Sequence, residues 1–389
     1  MKITNYILAA LAVSLLISCA STTRYLNGKS EWYRELHREG WAEDGGDSEV
    51  INQVIKNIKN KNNGTSNYYD RHTSQYTVGN WNYEWDQVAT KAENNNNYLQ
   101  ATIYSSIAAY PFVNMDKHAQ LSYKKALINY KKAVEKGGFN LEYIPLSSEK
   151  GDMQVALHLP ENKDKDPRPV IIMTNGSDKV LTYLYPFYRD YFSLQGWAMI
   201  SFDLPGIGAN SLIQQDPSNT NSIHQRVLQF IKDDPRLDEN SIALVGKSFG
   251  GHSAAKMAFT DQDDLSAVVS WCGVINRPFK NLRFSAHKAP PMTKDAFISR
   301  FSLSEEALYQ RGHELALSEK FLGKVQTSVP ILAINHGNDK LSPLGDMKLL
   351  KMSSKAGEVI VIDEDNTEGH CSSDMPSLQQ IIPWLTQYL

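Results

Sequence analysis

The chain has 389 residues, 41% hydrophobic and 21% charged, with 23 glycines and 16 prolines; that balance excludes disorder or a fibrous repeat as the main state. Its 40 basic residues against 43 acidic ones leave a net charge of −3, which offers nothing to a nucleic-acid polyanion. Three cysteines are too few for a disulfide scaffold.

Residues 1–18 have the shape of a signal peptide: Lys2, the apolar run Tyr6 to Ile17, then Leu16-Ile17-Ser18-Cys19. The run is short for a membrane span and the polar Ser21-Thr22-Thr23-Arg24 follows at once, so a permanent transmembrane helix is not expected. Leu-Ile-Ser-Cys is similar to a bacterial lipobox. That likeness implies cleavage before Cys19, attachment of lipid (palmitate among the acyl chains) to its sulfur, and anchorage in the cell envelope on the periplasmic or cell-surface side. An ordinary secretory signal with an incidental cysteine is the plainer alternative.

Residues 19–69 are polar and charged, with an Asn-rich stretch at Lys59 to Asn67, and read as a flexible lead-in. Helical spacing follows over 70–137. Trp85 and Val88 stand three apart, Ile103 and Ile107 four apart, Leu127, Tyr130 and Val134 share a face, and Gly137-Gly138 closes the last helix. From 138 to 389 the pattern becomes strands alternating with helices. Strands are predicted at Leu141 to Leu146, Met153 to Leu159, Val170 to Met173, Ala198 to Phe202, Ile242 to Val245, Leu265 to Ser270, Pro330 to Ile334 and Val359 to Ile362. Helix-length segments lie at Tyr183 to Leu194, Ser222 to Asp233, Gly250 to Thr260 and Leu344 to Lys351. The succession predicts a mostly parallel, doubly wound α/β sheet. Residues 276–327 interrupt it at a length no ordinary connection needs, and read as a lid containing a helical pattern over Ser304 to Leu317.

Ile242 to Val245 runs into Gly246-Lys247-Ser248-Phe249-Gly250-Gly251 and then a helix. This is the strand, turn and helix setting of a nucleophile elbow, with Ser248 at the strained position and glycines two residues either side. A serine hydroxyl needs an imidazole to take its proton, and His370 lies in a polar loop after the last strand. Asp339, at the carboxyl end of the Ile331 to Ile334 strand, completes the order Ser, Asp, His found in α/β-hydrolases. His252, His336, Asp203 and the run Asp363-Glu364-Asp365 are the competitors, and read as structural or solvating. The backbone N–H of Phe249 is one expected oxyanion donor; the other comes from Ser177 or Asp178 in the turn Thr174 to Asp178, where Gly176 permits close approach. Cys272 and Cys371 both fall on this edge of the sheet, and a disulfide between them is a hypothesis that depends on their Cα separation.

Residues 70–389 resemble the fermentation-respiration switch family of esterase-like α/β-hydrolases. The resemblance rests on Val78-Gly79-Asn80-Trp81-Asn82-Tyr83-Glu84-Trp85, Ala108-Ala109-Tyr110-Pro111, Phe202-Asp203-Leu204-Pro205-Gly206-Ile207-Gly208 and the elbow. It implies an α/β-hydrolase fold with an N-terminal helical domain and carboxylic-ester hydrolysis, without metal or organic cofactor. The lipobox is foreign to the cytoplasmic relatives. The expected activity is thus that of a lipid-anchored serine esterase acting on a small-molecule ester. Peptide or carbon–carbon bond hydrolysis on the same fold, and non-catalytic binding of a ligand or partner, are the alternatives.

Overall fold

The computed structural model describes residues 40–61, 76–113, 115–147, 151–161, 167–362, 369–371 and 374–389. The expected leader over 1–18, Cys19 and the run Asp363-Glu364-Asp365 lie outside them.

Residues 40–61, expected from their polarity to belong to a flexible lead-in, are helical instead: α1 spans Gly40–Glu43 and α2 Ser48–Lys61. The cause lies within α2, where Ile51, Val54, Ile55 and Ile58 recur on one face and are all buried. α3 (Trp81–Asn94), α4 (Tyr98–Ala109) and α5 (Lys117–Lys136) follow. The Asp116 carboxylate caps α5 by accepting from the N–H groups of His118 and Ala119, each at 2.9 Å. Trp41 of α1 is the hub of this helical core, its ring 6.1, 5.8 and 5.8 Å from those of Trp81, Trp85 and Tyr110. Tilted and edge-to-face pairs of this kind add about 1 kcal/mol each to the burial of the rings.

Eight strands then form one sheet: β1 (Phe139–Leu146), β2 (Met153–Pro160), β3 (Arg168–Thr174), β4 (Ala198–Ser201), β5 (Leu237–Lys247), β6 (Ala267–Trp271), β7 (Ile331–Asn335) and β8 (Gly357–Val361). Their order is β1-β2-β4-β3-β5-β6-β7-β8, antiparallel between β1, β2 and β4 and parallel from there on. Between and after them run α6 (Ser222–Asp233), α7 (Phe249–Thr260), α8 (Arg277–Lys280), α9 (Leu282–Lys288), α10 (Pro291–Ile298), α11 (Glu305–Arg311), α12 (Leu344–Met352) and α13 (Asp374–Leu385).

The period of two along each strand divides the core. Val170, Ile172, Ile242 and Leu244 face α6, α7 and α12, while Ile171, Met173, Ala243 and Val245 face α13 and the aromatic segment before β4. That segment, expected as one helix over Tyr183 to Leu194, is a chain of short 3₁₀, α and π turns from Leu181 to Gln195. Pro186 withholds a backbone donor there, and Tyr185, Phe187, Tyr188 and Phe192 are all buried, so packing rather than helical regularity sets the path. In the insertion, the helical pattern from Ser304 is α-helical only through Arg311 and continues as 3₁₀ turns. The helical core before β1 is continuous with Val180, Tyr183 and Ile207 of the loops after β3 and β4, and with Met292 and Ala296 of α10. Helices thus cover the carboxyl edge of the sheet from two directions.

Candidate active site

Ser248 sits between the end of β5 and the start of α7 with φ 56° and ψ −116°, a backbone state that costs a non-glycine residue on the order of 1–3 kcal/mol. Neighbouring chain makes glycine obligatory beside it. A side chain at Gly250 would place its first carbon 2.6 Å from the Asn175 carbonyl oxygen and 2.7 Å from that of Thr174. One at Gly176 would lie 2.9 Å from Ser248 Cβ and 3.2 Å from its Oγ, so the turn after β3 runs directly against the serine.

Three side chains from separate elements meet at this point. His370 Nε2 is 2.8 Å from Ser248 Oγ, and His370 Nδ1 is 2.7 Å from Asp339 Oδ2. Since an ionised carboxylate only accepts, Nδ1 carries the ring proton, leaving the Nε2 lone pair for the serine O–H. Asp339 is completely enclosed and receives four further donors: Leu341 N–H at 2.8 Å and Ser342 N–H at 3.0 Å on Oδ1, Asn335 Nδ2 at 2.7 Å and Cys371 N–H at 3.0 Å on Oδ2. Burial alone would raise its pKa, but the bonds and charge from His370, with Asn335 and the Cys371 amide, hold it well below the usual carboxylate range. A carboxylate so fixed holds the imidazole in one tautomer and stabilises it when protonated.

Gly176, Ser177 and Asp178 occupy the turn facing the serine, and Phe249 opens α7 immediately after it. Asn175 Nδ2 ties the turn to the Val180 carbonyl at 3.0 Å, and Thr293 Oγ1 donates to Asp178 Oδ2 at 2.6 Å. Arg300, fully buried, donates to the carbonyls of Ser177 and Pro205, while its Nε has no partner among the described residues. Burial pulls this guanidinium down to about 9. No motif announces Arg300, nor the ion pairs flanking the serine: Lys247 with Asp374, and Lys179 with Asp44 of the α1 end at 3.0 Å. Lys247 Nζ also lies 4.7 Å from the centre of the Trp271 ring. Burial would lower Lys179, but the carboxylates of Asp44, Asp374 and Asp178 raise it above its ordinary value.

The competing residues are engaged elsewhere. Asp203 Oδ1 accepts from Leu181 N–H at 2.7 Å, and Oδ2 from Ala209 N–H at 2.7 Å and Tyr123 O–H at 2.5 Å, which joins two loops to α5. Burial pushes its carboxyl up to about 6. His252 bonds the Leu315 carbonyl at 2.8 Å, and His336 is buried without a ring-nitrogen partner among the described residues. Cys272 and Cys371 form a disulfide, with Cα atoms 5.1 Å apart. Together with His370 they are the one group among the described residues spaced to hold a metal ion, but both sulfurs are consumed in the bond.

Comparison with known proteins agrees with this architecture. A family model described as esterase FrsA-like matches residues 4–389. Esterase FrsA of Vibrio vulnificus is 29% identical over 93% of this chain and 89% of its own length. Esterase FrsA of Photobacterium profundum is 28% identical over 96% and 92% respectively. Among solved structures, AbyA5 superposes with a TM-score of 0.68 at 16% identity, covering 88% of this chain and 94% of its own. A 2,6-dihydroxy-pseudo-oxynicotine hydrolase does so with a TM-score of 0.65 at 19% identity, covering 89% and 94%. These two likenesses establish the α/β-hydrolase fold.

Proposed function

The chain belongs to the FrsA-like esterase family and is an ester hydrolase; we propose that it works through an acyl-enzyme on Ser248, with His370 as general base and acid and Asp339 as its orienting carboxylate. The observation that carries this reading is the unbroken line of hydrogen bonds from Ser248 Oγ through His370 to Asp339, at 2.8 and 2.7 Å. Ser248 Oγ attacks the ester carbonyl carbon as its proton passes to His370 Nε2. The oxygen that becomes negative is held by the Phe249 N–H and by an N–H of the Gly176, Ser177 and Asp178 turn, donors whose loss typically costs about 10² to 10³ in rate. Imidazolium then protonates the departing alcohol, leaving the acyl group on serine. Water, deprotonated by the same nitrogen, attacks that acyl carbon and returns the free serine with the acid.

The helices before β1 and the insertion over 276–327 supply the pocket wall in this reading, supported by the shared packing of α10 with the helical core. Ser248→Ala is expected to abolish turnover of p-nitrophenyl acetate and labelling by a fluorophosphonate while the far-ultraviolet circular dichroism stays the same. Retained turnover would overturn the assignment.

The lipobox-like tetrapeptide ending in Cys19 supports a lipid-anchored protein of the cell envelope; among the described residues no helix is long and apolar enough to cross a membrane. Cys19→Ser should move the protein from the detergent to the aqueous phase in a cloud-point partition, and unchanged partition would refute the anchor.

A further inference from the structure

We propose that the Cys272–Cys371 disulfide is the positioning element of the catalytic imidazole, so that the active site is complete only when the two sulfurs are oxidised. This rests on the reading of His370 as the general base.

One end of the bond is set into the framework that carries the other two members. Cys272 is fully buried and directly follows Trp271, whose carbonyl accepts the Ser248 N–H at 2.9 Å. Its own N–H donates to the Ile334 carbonyl of β7 at 2.8 Å, the strand that leads to Asp339. Cys272 is thus anchored between the strand beside the nucleophile and the strand that delivers the acid.

The other end belongs to the segment that carries the base. Cys371 directly follows His370, and its N–H donates at 3.0 Å to Asp339 Oδ2, the oxygen that also receives His370 Nδ1. On the other side of the histidine, Gly369 (φ 93°) has no described residue within 4 Å of where a side chain would stand. Both half-cystines have positive φ, 46° at Cys272 and 72° at Cys371, a region that residues with a Cβ avoid unless their surroundings impose it. The covalent bond supplies that constraint.

Reduction by a dithiol delivers two electrons and two protons: the sulfur–sulfur bond breaks, Cys272 and Cys371 become thiols, and the dithiol closes to its own cyclic disulfide. The Cys371 backbone then keeps its left-handed state only through its N–H bond to Asp339 Oδ2, without the covalent tie to Cys272. The imidazole loses its alignment with Ser248, and displacement by about 1 Å is enough to cost about 10²-fold in rate. The chain is thereby slowed in a compartment that keeps thiols reduced and fully active once oxidised.

The test compares the full-length oxidised protein, the same protein reduced with dithiothreitol, and the Cys272→Ser/Cys371→Ser variant, on p-nitrophenyl acetate. Rates are expressed per folded molecule, counted from near-ultraviolet circular dichroism well below the melting transition, because a bond closing 99 residues of chain also stabilises the fold. The expected result is a fall in kcat of about tenfold to a hundredfold with KM unchanged, in both the serine variant and the reduced form. Oxidised glutathione should restore the reduced protein and leave the serine variant as it was. If the serine variant does not fold, the reduced wild type and its reoxidation decide the matter alone. A kcat per folded molecule equal to that of the oxidised protein, or a loss carried by KM alone, overturns the proposal. Absence of turnover in the oxidised wild type overturns the underlying ester-hydrolysis mechanism instead, and the proposal with it.

Discussion

His224 makes the acid stability of this protein a quantitative matter. Its ring on α6 meets Phe202 edge-on at 4.9 Å, and neither ring nitrogen has a partner among the described residues. Burial, helped by the nearby His252 and Lys256, lowers its pKa from 6.5 to about 3. A folded pKa below the unfolded one contributes stability that is complete above about 6.5 and is lost as the pH falls toward the folded value. At pH 5 the unfolded chain binds a proton that the folded chain refuses, and the 1.5-unit gap is worth about 2 kcal/mol. His252, lowered to about 3, and His158, lowered to about 4, are buried in the same way. Together the three remove about 6 kcal/mol by pH 5, comparable with the lower end of ordinary folding stability. His224→Phe keeps a ring against Phe202, deletes the titrating site and removes a buried polar group that has no partner among the described residues. Between pH 8 and pH 5 the wild type should lose about 2 kcal/mol more than this variant. Urea unfolding followed by tryptophan fluorescence at both values and constant ionic strength measures the difference. Equal losses in the two proteins would refute the buried, neutral imidazole.

Two further substitutions probe the reacting groups. Asp339→Asn places an amide N–H₂ where the carboxylate now receives only donors, so His370 loses its tautomeric control; kcat should fall by about 10⁴ with little change in KM, measured on the same p-nitrophenyl ester. Gly176→Ala pushes a methyl to 2.9 Å from Ser248 Cβ, and kcat should drop about 10²-fold while the melting temperature barely moves; full activity would show that the turn does not press on the serine.

The line Ser248, Asp339 and His370 is legible in the sequence because each residue is marked locally: glycines around the elbow, a strand end before the acid, a polar loop after the last strand. The strands are legible too, since buried parallel strands are short apolar runs. Residues 40–61 escape because polar residues dilute their composition, although the spacing of Ile51, Val54, Ile55 and Ile58 carries a helical period. Lys179, Asp44, Lys247, Asp374 and Arg300 escape for a different reason. They come from well-separated segments, and no spacing rule connects charges that only the tertiary fold brings together.

The Asp44–Lys179 pair bears on how a shortened version of this protein should be made. A start site chosen from composition alone would fall near the first clear helix, α3, and would discard Trp41 and Asp44 along with the polar stretch. The aromatic hub would lose its central indole, and the Lys179 ammonium beside the Gly176 to Asp178 turn would lose its ion-pair partner Asp44, leaving the carboxylates of Asp374 and Asp178 to offset its charge. Preparations beginning at or before Gly40 should therefore outperform shorter ones in both yield and turnover.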